Sequence, residues 1–439
     1  MDSSGHLVHG SPKRALIGAT IGFFIGAGSV SLFGPTAHIF LKAMHLSPQQ
    51  VGLLVAMPML TGSLLRIPFG ASVDRNGGRL PFLTLLIASV LGIAGLYWML
   101  LTLYPDHLTE RYYPLLLTLG ALAGCGIATF SVGIGQISYW FSKKKQGWAL
   151  AVFGGLGDSS PGFVVLILPA VIFTVGLWGG YLFSLAIIIV GMIIYYLMGL
   201  NAPFFQLNKK YNNVSKAKEE STSYGQELFP TGGTWHTLYL SARHWRTWPL
   251  VILYFTNFGG FLALTAWLPI FWQTYFHITA FHAVVLTAVF SLIAAFIRVY
   301  GGVLSDEIGG EKTAVLSLVI LLVGSIVMTF SDVLWITIVG EIFVGIGMGI
   351  NNAAVFKLVP HYVPDAVGGT AGWVGGLGCL GGFAIPPVLG HIVESIGFEG
   401  YALGFSVYII LAIFCLFLVA LLYRTRQSIF TQQKTIASN

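Results

Sequence analysis

Arg66-Ile-Pro-Phe-Gly70-Ala-Ser-Val-Asp74-Arg75-Asn-Gly77-Gly78 is an apolar run with a charge at one end and a pair of glycines at the other. The pattern returns 232 positions later as Arg298-Val-Tyr-Gly-Gly302-Val-Leu-Ser-Asp306-Glu307-Ile-Gly309-Gly310. Arginine, glycine, aspartate and the glycine pair all keep their places. A charge inside an apolar run is costly and marks a functional position. Two such positive charges, matched between the halves of one chain, point to a symmetric site for an anion.

Working outward, the 439 residues are 56% hydrophobic and only 9% charged, with 55 glycines. Soluble domains carry about 25% charged residues, so the chain reads as a polytopic membrane protein. Apolar stretches of about 20 residues, enough to cross a bilayer, fall at 15–41, 50–73, 81–104, 113–140, 148–172 and 175–199. Six more fall at 247–272, 282–303, 313–330, 333–356, 367–391 and 401–423. The expected architecture is all-α, with twelve transmembrane helices. Residues 1–200 form an N-terminal six-helix half, 201–246 a cytoplasmic linker and 247–439 a C-terminal six-helix half. The first span is too long for a signal peptide and lacks a cleavage pattern, so it reads as a retained helix.

Charge placement orients the chain. With both termini inside, 18 of the 22 lysines and arginines face the cytoplasm, from Lys13 and Arg14 through Lys143, Lys144 and Lys145 to Arg424, Arg426 and Lys434. Only Lys42 and Arg111 fall outside, while Arg66 and Arg298 lie within the membrane. That is the positive-inside pattern, so the net charge of +6 reports topology and not nucleic-acid binding. The mixed-charge stretch from Lys209 to Glu227 reads as a solvated linker.

Other chemistries find no support. Cys125, Cys379 and Cys415 show no disulfide or zinc spacing, and the histidines, His6, His9, His277 and His282 among them, have no carboxylate cluster beside them. No phosphate-binding loop occurs, so transport driven by the chain's own ATP hydrolysis is excluded. No nucleophile–base pair suggests an enzyme, and no metal or cofactor is expected.

The repeat extends past the arginines. Gly124, Gly126, Gly154, Gly155 and Gly157 recur 221 positions on as Gly345, Gly347, Gly375, Gly376 and Gly378. The shorter offset implies about eleven extra residues between spans 3 and 4, most simply Pro105 to Tyr113. Phe24, Gly26 and Pro35 match Phe258, Gly260 and Pro269 at an offset of 234. Parallel six-helix halves are the mark of a transporter that rocks around a central site. Asp74 and Asp306 mark the cytoplasmic edge. The arginines, eight residues deeper, lie about 12 Å inside, close to the midplane of a core about 30 Å thick. Pairing with a buried acid is the competing reading, and Asp158 and Glu341 are the only acids placed for it.

These residues resemble the major facilitator superfamily and, within it, the nitrate/nitrite porters over nearly the whole chain. The resemblance rests on Leu65-Arg66-Ile67-Pro68, Phe141-Ser-Lys-Lys-Lys-Gln146-Gly147, Gly154-Gly155-Leu156-Gly157 and Tyr254-Phe-Thr-Asn-Phe258-Gly259. It continues in Val355-Phe356-Lys357-Leu358-Val359-Pro360 and Gly375-Gly-Leu-Gly378-Cys-Leu-Gly381-Gly382-Phe383-Ala-Ile-Pro386. The Gly-x-x-x-Asp motifs, with Gly70, Asp74 and Arg75 in one half and Gly302 and Asp306 in the other, belong to the superfamily as a whole.

The resemblance implies a major facilitator fold of two pseudo-symmetric halves. It also implies that Arg66 and Arg298 clamp a planar oxyanion, with Phe130, Tyr254 and Phe258 beside it. A guanidinium fork suits trigonal oxygens in a way an ammonium does not. For each ring singly, plain helix packing is an equal reading. Gly154, Gly155 and Gly157 in span 5, and Gly375, Gly376, Gly378, Gly381 and Gly382 in span 11, let helices approach and slide. One departure stands out: where the family has asparagine after Gly-Gly-Leu-Gly, this chain has Asp158, followed by Ser159-Ser160-Pro161, and its span 11 counterpart is Cys379. Asp158 is read as a proton-coupling residue, or as a hydrogen-bonding residue at a helix contact, and Pro161 as a kink.

The expected function is secondary transport of nitrate, nitrite or both by exchange or proton symport. The chain is expected to be a monomer in a plasma membrane, with the anion, and protons in the symport reading, as its small partners. The alternatives are a carrier of the same fold for another small anion, such as a short carboxylate, and an anion receptor that does not cycle.

Overall fold

A computed structural model describes residues 8–230, 234–363 and 366–438. His6 and residues 231–233 of the linker lie outside that range, and the side chains of Lys143, Lys144, Arg426 and Lys434 lie outside the described set. Among the described residues the chain is helical, with no strand.

Spans 1 to 4 are Pro12–Ser31, Pro48–Arg75, Arg79–Leu103 and Glu110–Trp140. Spans 7 to 12 are Thr247–Tyr275, Ala280–Ile308, Gly310–Phe330, Leu334–Tyr362, Val367–Ile396 and Gly400–Thr425. Between them, Trp148–Met198 is one apolar stretch of 51 residues. At 1.5 Å per residue that is about 75 Å, more than twice the hydrocarbon core. The stretch turns at Gly176, where φ 80° and ψ 174° leave helical space, and so supplies spans 5 and 6. Twelve crossings result.

The contacts sort the chain into two compact units. One holds Met1–Leu46 and Met57–Trp235, the other Ser47–Ala56 and His236–Asn439. The opening motif has the same geometry in each. Gly77 (φ 73°) and Gly309 (φ 92°) end their helices in backbone conformations that side chains resist. Beside them, a Cβ on Gly78 would meet Gln136 at 2.5 Å and one on Gly310 would meet Leu358 at 2.8 Å. The glycine pair is therefore a helix stop followed by a close helix contact, made twice.

Three expectations change. Span 1 was drawn through residue 41, but its helix Pro12–Ala27 tightens into a 3₁₀ turn at Gly28–Ser31 and stops. Pro35, which lacks an N–H, separates it from the short helix Ala37–Met44. The extra residues before span 4 are shared, since span 3 has 25 residues against 21 in span 9.

The linker is not simply solvated. Helices Pro203–Tyr211 and Val214–Ser223 bury Phe204, Phe205, Leu207 and Ala217 in the first unit. The Phe205 ring meets Tyr139 edge-on at 5.2 Å, and Gln226 Oε1 accepts from the Phe204 N–H at 2.9 Å. The apolar residues that dock it lie mostly ahead of Lys209, outside the charged stretch.

Candidate functional site

Span 2 brings Arg66 to a buried position, with 2% of its surface exposed. Its guanidinium lies over the Phe130 ring of span 4, Cζ 4.8 Å from the centroid. An aromatic face is negative at its centre and attracts a cation. Phe130 in turn packs against Phe23 of span 1 at 5.2 Å and Phe153 of span 5 at 5.9 Å. A Cβ on Gly154 would touch the Phe130 ring at 3.7 Å. The first unit thus holds its arginine against a three-ring cluster to which spans 1, 4 and 5 contribute.

The second unit repeats the theme with other rings. Arg298, half-buried on span 8, has its Cζ 5.8 Å from the centroid of Phe258 on span 7. Phe258 stacks on Tyr254 at 4.8 Å and 12°, and Phe356 of span 10 meets Tyr254 edge-on at 5.1 Å. Between Tyr254 and Phe258 the backbone widens into a π-turn at Phe255–Gly259, a local distortion common at functional sites. Span 7 is the most enclosed of the spans, with 89% of its apolar window buried.

The glycine runs divide by neighbour. Gly378 faces Tyr254, whose Cβ and Cδ1 lie 2.8 Å from where a Cβ would stand. Gly381 lies against the Phe255 carbonyl and against Gly259, whose Cα would be 3.0 Å away. Gly157 leaves no room beside the Phe23 ring, while a Cβ on Gly155 or Gly375 would meet nothing within 4 Å. Gly376 and Gly382 are buried in span 11. Span 11 also tightens into a 3₁₀ turn at Gly378–Leu380.

The two acids occupy different settings. Asp158, 4% exposed, ends helix Lys143–Asp158, and the next helix starts at Ser160 with Pro161 in its first turn. The proline therefore stands where it removes no interior hydrogen bond, and the break falls at Ser159 instead of a kink at Pro161. Ser31 Oγ donates to the Pro161 carbonyl at 3.0 Å, fixing this break to span 1. Glu341, 1% exposed, accepts from the Trp272 indole at 3.0 Å. It packs against the far end of span 7 and not beside Arg298.

The profile of the Major Facilitator Superfamily matches residues 19–386 and 285–434. The chain belongs to the Major Facilitator Superfamily. This facilitator is 30% identical over 412 residues to a Thermus thermophilus protein described as probable nitrate/nitrite antiporter NarK1, covering 86% of the chain and 84% of the relative. It is 28% identical over 366 residues to the nitrite extrusion protein of Bacillus subtilis (strain 168), covering 82% of each. These relatives place it in the nitrate/nitrite porter family. The xylose transporter XylE of E. coli, in a partially occluded inward-open conformation, shares the fold at TM-score 0.68 and 13% identity. That match covers 92% of this chain and 98% of the other.

Within the facilitator, the sequence singled out Phe130, Tyr254 and Phe258, and each unit sets those it contains into an arginine–aromatic cluster. It missed Phe23, Phe153 and Phe356. Phe356 lay inside a quoted motif, and its spacing from Lys357 and Pro360 gave no sign that its edge meets Tyr254. The cytoplasmic motif differs between halves. Tyr139 donates to Asp74 at 2.6 Å, whereas Asp306 pairs with Lys357. Arg75 is exposed. Among the described residues no cluster of histidine, cysteine or acid residues could hold a metal.

Proposed function

We propose that this facilitator carries nitrate and nitrite across the plasma membrane by alternating access, with both termini cytoplasmic. The observation that carries the reading is that each unit, taken by itself, sets an arginine of an apolar span against a phenylalanine ring. The curated relatives named for nitrate and nitrite support the choice of anion. In this reading Arg66 and Arg298 each present a guanidinium fork to the flat anion, and Phe130, Phe258 and Tyr254 exclude water from it. A dry site raises the strength of the charged hydrogen bonds. The glycine helices, spans 5 and 11, are assigned to gating. No bond is made or broken in the substrate, as befits a family of transporters.

The test is purified protein in liposomes. Nitrate and nitrite are expected to exchange across the membrane, with formate, acetate and chloride poor competitors. Equal uptake of a short carboxylate would replace the substrate assignment. Saturable binding without any flux would mean a receptor.

A further inference from the structure

Spans 1, 3 and 6 of the first unit converge at one end. A Cβ on Gly22 of span 1 would meet Phe82 of span 3 at 2.8 Å and Tyr195 of span 6 at 3.2 Å, and those two rings stack at 3.9 Å. The last turn of span 6 receives two arginines there from its neighbours. Arg14 of span 1 donates Nη2–H to the Leu197 carbonyl at 2.7 Å, and Arg79 of span 3 donates Nη2–H to the Tyr196 carbonyl at 2.8 Å. Because the two carbonyls are consecutive in one helix, the two Nη2 atoms stand within about 9 Å of each other. The Arg79 guanidinium also lies over the Tyr196 ring, 4.9 Å from its centroid. A guanidinium has further N–H donors to offer, and among the described residues neither arginine has a carboxylate partner.

The charge here runs against the helices that carry it. Lys13 and Arg14 lie in the first turn of Pro12–Ala27, Arg79 opens Arg79–Leu103, and neither first turn holds an acid. A helix start is itself partly positive and favours anions. Its side-chain acceptors here are neutral: Ser11 Oγ takes the Arg14 backbone N–H at 3.3 Å and Asn201 Oδ1 that of Arg79 at 2.8 Å. The fold does not ask for this arrangement. At the repeat offset of 232 the second unit has Glu311 in place of Arg79, in the first turn of its helix, where it accepts from Tyr362 at 3.1 Å. The acid of the first motif, Asp74, accepts from Tyr139.

Beyond the arginines, along the same three spans, the surface is apolar. Ile17, Leu80, Ile87, Ile193 and Leu197 are between 48% and 63% exposed, and Tyr196 is exposed at the level of Arg79, as interfacial aromatics are. A soluble anion would use the guanidinium groups alone. An anionic head carried on hydrocarbon chains matches both the charge and the apolar faces beside it.

We propose that Arg14 and Arg79 bind the phosphate of an anionic phospholipid such as phosphatidylglycerol, with its acyl chains along the exposed faces of spans 1, 3 and 6. A choline head would bring a cation to a place without an acid, so phosphatidylcholine is the poorer ligand. This holds whichever anion the carrier moves.

The experiment titrates the detergent-purified full chain with phosphatidylglycerol and phosphatidylcholine of matched chains, read by native mass spectrometry, for the parent, Arg14→Gln, Arg79→Gln and the double variant. Glutamine keeps an N–H donor for the span 6 carbonyls and removes the charge. The parent is expected to prefer phosphatidylglycerol, and each substitution to weaken that lipid about fivefold while leaving phosphatidylcholine unchanged. Arg111→Gln, whose guanidinium lies over Tyr112 at the other end of the spans, is expected to match the parent. Equal affinity of the parent for the two lipids would overturn the proposal. So would phosphatidylglycerol binding that survives in the double variant, even with a lowered melting temperature, since the arginines would then only cap span 6. If the double variant does not fold, Arg14→Gln alone decides, by the same fivefold loss or its absence. Inorganic phosphate is expected not to compete; displacement of the lipid by phosphate would give the site to a soluble anion and end the lipid assignment.

Discussion

The Arg66 guanidinium lies 4.8 Å from the centre of the Phe130 ring, in a position where only 2% of the arginine is exposed. A flat delocalised cation can stack on a ring and still turn its N–H edge elsewhere; a lysine ammonium is a compact point charge without that edge. Arg66→Lys and Arg298→Lys are each expected to lower nitrate affinity at least tenfold, about 1.4 kcal/mol, with the charge unchanged. Equilibrium titration of the purified variants reads this directly. Parent-like binding and flux in either lysine variant would remove that arginine from the clamp.

Gly378 and Gly375 lie one turn apart on span 11 and carry opposite expectations. A methyl at 378 would press on Tyr254 at 2.8 Å, whereas one at 375 would find nothing within 4 Å. Gly378→Ala is expected to shift the Tyr254 ring and destabilise the protein by about 1–3 kcal/mol. Gly375→Ala is expected to stay within about 0.5 kcal/mol of the parent. Thermal melting of the two variants side by side is the check. If Gly375→Ala melts normally yet transports slowly, its bareness serves movement; an unchanged rate takes Gly375 out of the gating set.

The cytoplasmic motif gives a third test. Tyr139 donates to Asp74 at 2.6 Å from a partly buried position, with Phe205 of the linker against its ring. Lys357 and Asp306, the corresponding pair in the second unit, have side chains 49% and 67% exposed. Exposed ion pairs contribute about 0–1 kcal/mol and are screened by salt, while a shielded hydrogen bond to a charged acceptor contributes about 1.5–3 kcal/mol. Tyr139→Phe should therefore lower the melting temperature more than Lys357→Ala, and only the lysine variant's effect should shrink in high salt. The reverse order would show that the exposed pair holds its helices more tightly than its surroundings suggest.

Much of this was open to reading in the chain because it rests on constraints a membrane imposes on composition. Apolar length sets the spans, and a charge inside an apolar run, as at Arg66 and Arg298, stands out against its surroundings. Gly77 and Gly309 announce themselves because a helix stop at positive φ with extended ψ demands glycine. What escaped notice depends on which neighbour a side chain meets. Phe23, Phe153 and Phe356 belong to a chain with 32 phenylalanines, and nothing local distinguishes a ring beside an arginine from one facing lipid. The π-turn at Phe255–Gly259 leaves no signature in residue type. The docking of Phe204 and Phe205 was hidden by the charges that follow them.

Asp158 carries the last expectation, which concerns how the carrier resets. In the proposed carrier, an anion-free site that holds arginine charge away from water resists closure. A carrier built only that way returns with an anion bound, and so exchanges. An aspartate in the glycine helix offers another route. In the symport reading, Asp158 is the group that carries a proton across with the anion. The buried position of Asp158 at the end of its helix, 4% exposed, suits a group whose charge is worth controlling. Asp158→Asn keeps the size of the side chain and cannot take up that proton. It is expected to abolish net nitrate uptake driven by an inside-alkaline pH gradient while leaving nitrate–nitrite counterflow within about twofold of the parent, less than 0.5 kcal/mol in free energy. Both are measured in the same liposome preparation. Proton-driven uptake that survives the substitution would leave exchange as the only mechanism assigned to the pair of arginines, with Asp158 reduced to a helix contact.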